Sequence, residues 1–335
     1  MAAEELFTSA SHTHFAPATD CRLPAIGCVS NAYLSRLIDL SVALIEDLLQ
    51  RPEEDCRLVY TAGVADHAIN RRRTIWLPRV GLPPWKRRTI MRPNYLAPRD
   101  ETIHTISLQR QDGSILAAGW SYACHPVCFP AFHSVSADFA GVVRATIRDE
   151  LGSVPVLFWQ GFCGDVRPRA VASSLLWGSR FTHFSRDQWR RWSGGLADRV
   201  IETLRKRERP IVGDVTVARV KVPVEAFGLH TQDAPRSLHG HRVSIGPMTF
   251  VGVSAEPVTG YVAMVREQMS APITIPVGYM DGVIGYLPTS DLLPDGGYET
   301  GDFAPAFGLV GQFHANVSEL FCARVLGPLK LIYSR

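Results

Sequence analysis

The stretch HTISLQRQDGSILAAGWSYACH, residues 104–125, contains two β-like runs on either side of Asp112-Gly113. An Asp-Gly pair between two such runs is typical of a tight β-hairpin. The second run ends at Cys124, so that His125 stands where a strand ends. Functional side chains are often carried by the segments that follow strands. This stretch therefore predicts a hairpin with a candidate functional residue at its end.

Helix and strand patterns alternate along the rest of the chain. Apolar residues recur at helical spacing in the segments 31–49, 136–152 and 185–207. The second segment has cap-type residues Ser136 and Asp138 at its start and Gly152 at its end. Short apolar or alternating runs predict strands in the segments 56–62, 154–160, 215–227 and 242–256. This interleaving predicts an α/β fold in which mixed β-sheets are flanked by helices.

The composition is that of an ordinary globular protein, with 335 residues of which 46% are hydrophobic and 20% charged. No internal repeat or low-complexity linker divides the chain, so we expect a single domain over residues 1–335. The net charge of +3 gives no ground for a nucleic-acid partner. Seven cysteines spread over a long chain favour reduced thiols over a disulfide framework. Without a secretory signal pattern or a run of ~18 apolar residues, we expect a cytoplasmic protein that lacks a transmembrane segment.

The segment 70–100 is rich in arginine and proline and has no clear period. We interpret it as a long loop on the substrate side, because loops of that length in compact domains are usually functional or disordered. Its mixture of arginine and tryptophan also suits single-stranded nucleic acid, an interpretation that we rank last.

Several side chains that bind metals stand at noteworthy places. His12 and His14 lie two residues apart near the start of the chain, and His125 follows a predicted strand. A catalytic zinc site typically takes three protein ligands and leaves one position for water. Glu256 closes an apolar strand, where a buried carboxylate needs a partner, although the same place suits an acid before a helix.

Ordinary structural roles also fit these residues when each is taken alone. His125 is then a hydrogen-bonded core histidine, and Cys124 and Cys128 are core packing residues. Tyr286 and Tyr298, in a turn-rich stretch, are then packing or interface residues. No local spacing ties these places together.

The order of the motifs, however, resembles that of the neutral, non-lysosomal ceramidases. His12-Thr13-His14 with Pro17 is similar to their HTHSGPG element, and Cys124-His125-Pro126-Val127 to their HPV element. The further similar elements are Ser136-Ala137-Asp138-Phe139, Gln160-Gly161-Phe162-Cys163-Gly164-Asp165-Val166, Glu256-Pro257, and Gly285-Tyr286-Leu287-Pro288-Thr289 through Gly297-Tyr298-Glu299. They occur in the family's order and cover about residues 8–330.

The resemblance implies the fold of the ceramidase catalytic domain and a zinc-dependent hydrolase that cleaves N-acyl amides. The implied zinc ligands are His12, His125, Glu256 and Tyr286, with a water completing the shell. His14 and Tyr298 are implied as donors to the substrate carbonyl. Arg71, in the pair Asn70-Arg71, resembles an arginine of the family that reaches into the site. The expected substrate is a ceramide-like or other lipidic or small amide.

The chain departs from the family's pattern at places that bear on the substrate. The first motif continues as Phe15-Ala16-Pro17-Ala18, with Phe15 in place of serine. Where the family reads GDVSP, Arg167 places a charge in the position of a small hydroxyl. We expect the domain to be short at its N-terminus and to lack the C-terminal immunoglobulin-like domain of the long members.

The sequence is therefore compatible with three functions. The first is a zinc amidohydrolase that uses metal-activated water. The second is an acyltransferase that forms amides on the same scaffold, because hydrolysis and condensation share a transition state. The third is a non-catalytic relative that keeps the fold for binding.

Overall fold

We describe the chain from a computed structural model, which covers residues 6–23, 25–77, 86–175, 178–206, 210–232 and 234–330. Strands and helices alternate along these residues, as the sequence predicts. The α-helices are α1 (Asn31–Gln50), α2 (Asp138–Leu151), α3 (Arg186–Leu204), α4 (Gly260–Met269), α5 (Val317–Phe321) and α6 (Gly327–Lys330). The strands of the first half are β1 (Arg57–Val64), β2 (Ala68–Leu77), β3 (Lys86–Asn94), β4 (Thr102–Gln109), β5 (Ile115–Tyr122), β6 (Val156–Gln160), β7 (Val166–Pro168), β8 (Val171–Ser174) and β9 (Gly178–Phe181). Those of the second half are β10 (Pro210–Ile211), β11 (Val215–Pro223), β12 (Leu229–Thr231), β13 (Ser237–Ile245), β14 (Met248–Val253), β15 (Glu256–Pro257), β16 (Ile273–Val277), β17 (Tyr286–Leu287) and β18 (Leu309–Gly311).

One sheet has the strand order β10-β1-β4-β5-β6 and contains the predicted hairpin. β4 and β5 pair antiparallel, and Gly113 in the turn has a φ of 86°, which glycine adopts without strain. β5 and β6 pair parallel, with α2 as the crossover between them. Trp120 of β5 and Phe139 of α2 are almost fully buried in this core. Burial of such a side chain stabilises the fold by about 1.5–3 kcal/mol.

A second sheet has the order β11-β13-β14-β16. β14 and β16 are parallel and are joined through α4, whereas the other neighbours are antiparallel. The core on this side combines sheet residues such as Val251 with Phe321 and Leu326 near the C-terminal end of the described chain. Tyr286 belongs to this second core, and Cys163 and Tyr279 belong to the first, so the region between the cores is shared by both halves of the chain.

The interpretation of residues 70–100 as a loop is wrong over most of its length. β2 and β3 form an antiparallel pair, and β2 also pairs with β7. A change of register between Asn70 and Arg72 interrupts the alternation that would have marked β2 as a strand. Residues 78–85 lie outside the described part of the chain.

Two predicted helices differ from expectation in detail. α2 begins after Ala137, and Asp138 has a φ of 51° rather than capping the helix. Its carboxylate instead accepts hydrogen bonds from the backbone N–H of Cys128 and from Trp189 Nε1, both at 2.8 Å. α1 forms as predicted, but none of its residues is buried against the described part of the chain. More than half of each of its side chains at Ile38, Leu40, Leu44, Leu48 and Leu49 is exposed.

Among the described residues, no helix is both long enough and apolar enough to cross a membrane. All seven cysteines are free, and Cys124 and Cys128 pack in the first core as the sequence predicts.

Candidate metal centre

Glu256 and Tyr286 are brought together by backbone pairing. β15 and β17 run parallel, and Glu256 lies directly opposite Tyr286 in their register. The backbone N–H of Glu256 donates to the carbonyl of Gly285 at 2.8 Å. Both side chains are buried. Glu256 lies on β15, and α4 begins only at Gly260, so Glu256 is not in the first turn of that helix. The interpretation of Glu256 as a helix N-terminal acid is therefore wrong.

His125 follows the end of β5 and is fully buried. Its Nδ1 lies 2.8 Å from the carbonyl oxygen of Cys163 and 3.1 Å from that of Val166. Because both partners are acceptors, Nδ1 carries the proton, and the lone pair of Nε2 is left for another partner. Nε2 lies 3.3 Å from Glu256 Oε2 and 3.4 Å from the Tyr286 hydroxyl.

The N-terminal segment contributes His12 and His14. His12 Nε2 lies 3.5 Å from Glu256 Oε2 and 3.3 Å from His14 Nε2. The ligand atoms of His12, His14 and His125 all lie within 4.8 Å of one another. His12 has a φ of 60°, which is uncommon for a residue other than glycine, and its ring stacks on Tyr279 at 4.0 Å. The structure thus places His12 and His14 around His125.

Arg71 and Tyr298 lie next to this cluster. Arg71 donates from Nε to Glu299 Oε1 at 2.7 Å and from Nη2 to the Tyr286 hydroxyl at 3.2 Å. Arg72 donates to the other oxygen of Glu299 at 2.5 Å, so one buried carboxylate serves two buried arginines. The ring of Tyr298 lies 5.3 Å from that of Tyr286, and its side chain is partly exposed.

A cavity of about 680 Å³ lies beside this cluster. His12, His14, Glu256, Tyr286 and Tyr298 line it on one side. Its apolar wall includes Leu23, Ile26, Val283, Ala306 and Phe307. The cavity can therefore hold an apolar chain beside the cluster of imidazoles.

Burial and charge favour the protonation states that a metal requires. Desolvation lowers the pKa of His12 to about 4, although Glu256 opposes this shift. Desolvation and then Arg71 lower the pKa of His125. Burial alone would raise the pKa of Glu256, but His12 and His125 together hold it well below its ordinary value. Neutral imidazoles beside an ionised carboxylate are the forms that bind a cation.

The tyrosine hydroxyls keep their protons in this environment. Burial and then the charge of Glu256 raise the pKa of Tyr286 and also that of Tyr298. Tyr298 is therefore a hydroxyl donor at neutral pH. For Glu299, burial would raise the pKa, but Arg71 and Arg72 lower it, so it remains an anion between the two arginines.

The residues present fit zinc. Imidazole nitrogens with a carboxylate and a phenolic oxygen are a donor set suited to this ion. His125 has its second nitrogen held by carbonyl groups, which is the usual way in which proteins orient a metal-binding imidazole. Separations of 3.3–3.5 Å between Glu256 Oε2 and the two Nε2 atoms are long for hydrogen bonds but suit atoms that share one cation.

Two further residues, Tyr279 and Asp165, support the cluster. Tyr279 stacks on His12, and its hydroxyl donates to Glu256 Oε2 at 3.3 Å. Asp165 accepts hydrogen bonds from Asn70 Nδ2 and from the N–H and hydroxyl of Thr259, each at 2.8 Å. Asp165 thereby ties the strand that carries Arg71 to the segment after Glu256. The family-like element Gln160–Val166 gave a signal for Asp165, whereas no pattern marks Tyr279.

The stability of the metal-free protein should depend on pH through its buried histidines. Desolvation lowers the pKa of the buried His104 and His241 from 6.5 to about 4. Between these values the unfolded chain binds more protons than the folded one, so the free energy of unfolding falls as the pH drops from 6.5 towards 4. Above pH 6.5 these groups add no slope. Each contributes at most about 1.4 kcal/mol per pH unit.

Urea unfolding of chelator-treated protein between pH 7.5 and 4.5 measures this slope. His104 lies outside the metal cluster and contacts the Tyr60 hydroxyl, so the variant His104→Gln should show a shallower dependence. A free energy of unfolding that rises on acidification through this range contradicts the assignment.

Comparison with known proteins finds similarity in structure only. No protein-family model matches the sequence, and no curated protein sequence matches it. The solved structure of neutral ceramidase from Pseudomonas aeruginosa matches with a TM-score of 0.71 and 15% identity, over 96% of this chain and 60% of that chain. A structure of ceramidase complexed with C2 matches with a TM-score of 0.69 and 14% identity, over 91% of this chain and 59% of that one. The chain thus spans about 60% of the length of these structures, and over that length it has the mixed α/β fold of the neutral ceramidases.

Proposed function

We propose that the protein is a zinc-dependent hydrolase of N-acyl amides, ceramide-like or smaller. The observation that carries the proposal is the convergence of His12, His125, Glu256 and Tyr286 at one side of a cavity with an apolar wall. The likeness of the fold to that of a neutral ceramidase supports it.

Zinc supplies the activation that an amide and water both need, because it lowers the pKa of bound water to about 7 and polarises a carbonyl. His12, His125, Glu256 and Tyr286 would hold the ion. The cavity wall at Leu23, Ile26 and Phe307 would bind the acyl chain and exclude water from it.

The side chains that face the cavity take the remaining roles. Tyr298, a protonated hydroxyl, would donate to the carbonyl oxygen as negative charge develops there. Arg71 would hold the Tyr286 hydroxyl in place through its 3.2 Å contact. Glu256 Oε2 is already shared between two imidazoles and the Tyr279 hydroxyl. We therefore assign the proton transfer to His14, which lines the cavity and whose Nε2 lies 3.3 Å from His12 Nε2.

The proposed reaction is hydrolysis of the amide bond. The amide C–N bond breaks and a C–O bond forms to the oxygen of water. His14 accepts the proton that water loses at Nε2 and delivers it to the nitrogen of the leaving amine. The products are a fatty acid and a free amine.

Elemental analysis together with an amide assay tests the proposal. Dialysed protein should retain about one zinc ion per chain. It should also release fatty acid from N-acylsphingosine or simple N-acyl amides, lose this activity with a chelator, and regain it with zinc. Folded protein that takes up no zinc and cleaves no amide contradicts the proposal. Amide formation from an amine and an acyl donor, without hydrolysis, would instead favour the acyltransferase.

A further inference from the structure

The N-terminal segment, residues 6–14, pairs with residues 279–281 through a short antiparallel bridge. The backbone N–H groups of Ala10 and Asp281 donate across this bridge, at 3.2 Å and 2.9 Å, to carbonyl groups of the opposite segment. The second segment also holds the tyrosine whose ring stacks on His12. The pairing therefore joins the segment that carries a proposed zinc ligand to the segment that supports this ligand.

The side chain of Asp281 adds further contacts to this pairing. Its Oδ1 accepts hydrogen bonds from the N–H and from the hydroxyl of Thr8, at 2.8 Å and 2.9 Å. Its Oδ2 lies 3.6 Å from Arg219 Nη1 and 3.2 Å from His241 Nε2. Arg219 in turn donates from Nη2 to the carbonyl of Leu6 at 2.7 Å. One carboxylate thus holds the N-terminal segment directly and also through a cation. We call the contacts of Asp281 with Thr8 and Arg219 the clasp.

The backbone has an unusual conformation where the two segments meet. His12, Tyr279 and Asp281 have φ values of 60°, 57° and 56°. Among the described residues other than glycine, only Asp138 and Ser270 share this left-handed conformation. It is unfavourable for such residues and persists where the surrounding contacts enforce it, often at functional sites. Three such residues at one meeting point indicate that the contacts between the segments hold them there.

The clasp lies outside the reacting groups. Neither Asp281 nor Thr8 lines the cavity. Beyond His12, the chain is held by the N–H of His14, which donates to the carbonyl of Pro126 at 3.2 Å. The clasp is the side-chain anchor before His12, so this ligand lies between two points of attachment.

We propose that Asp281 is a positioning residue that holds His12 against Glu256 before a metal binds. The inference rests on the proposed zinc centre and deepens it. Asp281 would not touch the ion and would act through the four bonds of backbone that separate Thr8 from His12 in sequence. A ligand that is already held in place loses less conformational freedom on binding, so the clasp should raise the affinity for zinc.

Three variants separate this role from a general effect on stability. Asp281→Ala removes the clasp, whereas Asp281→Asn keeps Oδ1 as the acceptor for Thr8. Asp100→Ala is the matched control. Asp100 also accepts from a backbone N–H, that of Thr102 at 3.1 Å, and pairs with Arg266 at 3.0 Å. These contacts join neither the proposed zinc ligands nor the N-terminal segment.

Two measurements give the result. The first is the rate of amide hydrogen exchange in the N-terminal segment of chelator-treated protein, which Asp281→Ala should raise by at least ~10-fold. The second is the zinc dissociation constant from competition with a chromophoric chelator, which Asp281→Ala should also raise by at least ~10-fold. Asp281→Asn should recover most of both effects. Asp100→Ala should lower the melting temperature and leave both quantities unchanged.

The outcomes distinguish the clasp from the proposed function. Unchanged zinc affinity in folded Asp281→Ala, equal weakening in Asp100→Ala, or no recovery in Asp281→Asn overturns the proposal. If the wild type takes up no zinc while Asp281→Ala still raises the exchange rate, Asp281 holds the segment and the zinc-dependent function fails. If wild type and Asp281→Ala bind zinc equally and both cleave amides, the hydrolase function stands and the role of Asp281 fails.

Discussion

Replacing His125 with alanine is expected to abolish both zinc retention and amide hydrolysis. His125 is fully buried, its Nδ1 is fixed by two carbonyl oxygens, and its Nε2 faces Glu256 and Tyr286. The alanine removes this nitrogen and leaves a gap after the end of β5. The two carbonyl groups also lose their donor, which costs about 1–3 kcal/mol of stability. Zinc per chain and fatty-acid release, measured on the same preparation, give the result.

A matched control separates loss of the metal from loss of stability. His104 is also a buried histidine, bonded to the Tyr60 hydroxyl and remote from the cluster. His104→Ala should lower the melting temperature as His125→Ala does, yet keep zinc and activity. Zinc content that is unchanged in folded His125→Ala would remove His125 from the ligands.

Tyr298→Phe is expected to lower kcat by about 10²–10³-fold while zinc content stays intact, the loss typical of one missing oxyanion donor. Tyr298 is partly exposed at the cavity, and its pKa is raised, so its hydroxyl is a donor rather than an anion. The hydroxyl acts on the developing charge and not on the bound ground state, so KM should change little.

The variant Tyr286→Phe gives the contrast, since Tyr286 lies in the cluster opposite Glu256 and is proposed as a ligand. It should reduce zinc affinity as well as turnover. Normal turnover by Tyr298→Phe would mean that another group stabilises the oxyanion. Equal zinc loss in the two variants would mean that Tyr298 itself is a ligand.

Much of the fold follows from local patterns in the sequence. The hairpin of β4 and β5 is marked by Asp112-Gly113, and Ser185 caps α3 through a capping box with Gln188. β2 was missed for a physical reason. Its Arg71 and Arg72 are buried, which an alternating pattern excludes, and they are neutralised by Glu299, far away in the sequence. No local rule reveals a partner 228 residues distant.

The site was predictable in part, through the order of motifs along the chain and not through local patterns. His12, His125, Glu256 and Tyr286 were identified through motif order, and the structure places them together; their roles as ligands stay a prediction. Tyr279 could not be found from the sequence because its stacking on His12 exists only once two distant segments meet. The exposed apolar side of α1 was equally beyond the sequence, since a helical stripe indicates only which residues share a face, not what covers them.

The N-terminal attachment of His12 bears on how long a metal would stay bound. His125, Glu256 and Tyr286 lie on strands or shortly after one, whereas His12 belongs to a segment that joins no sheet. This segment is held before His12 by the bridge of Ser9 to Met280 and by the Thr8 N–H to Asp281, and after it by the His14 N–H to Pro126 and the Ser136 N–H to Phe15. The positive φ of His12 adds strain of about 1–3 kcal/mol that a bound ion would have to offset. Local opening of this segment removes one ligand without disturbing either core. The residence time of the metal would then be governed by how often the segment of residues 8–15 opens, not by the depth at which the other ligands are buried.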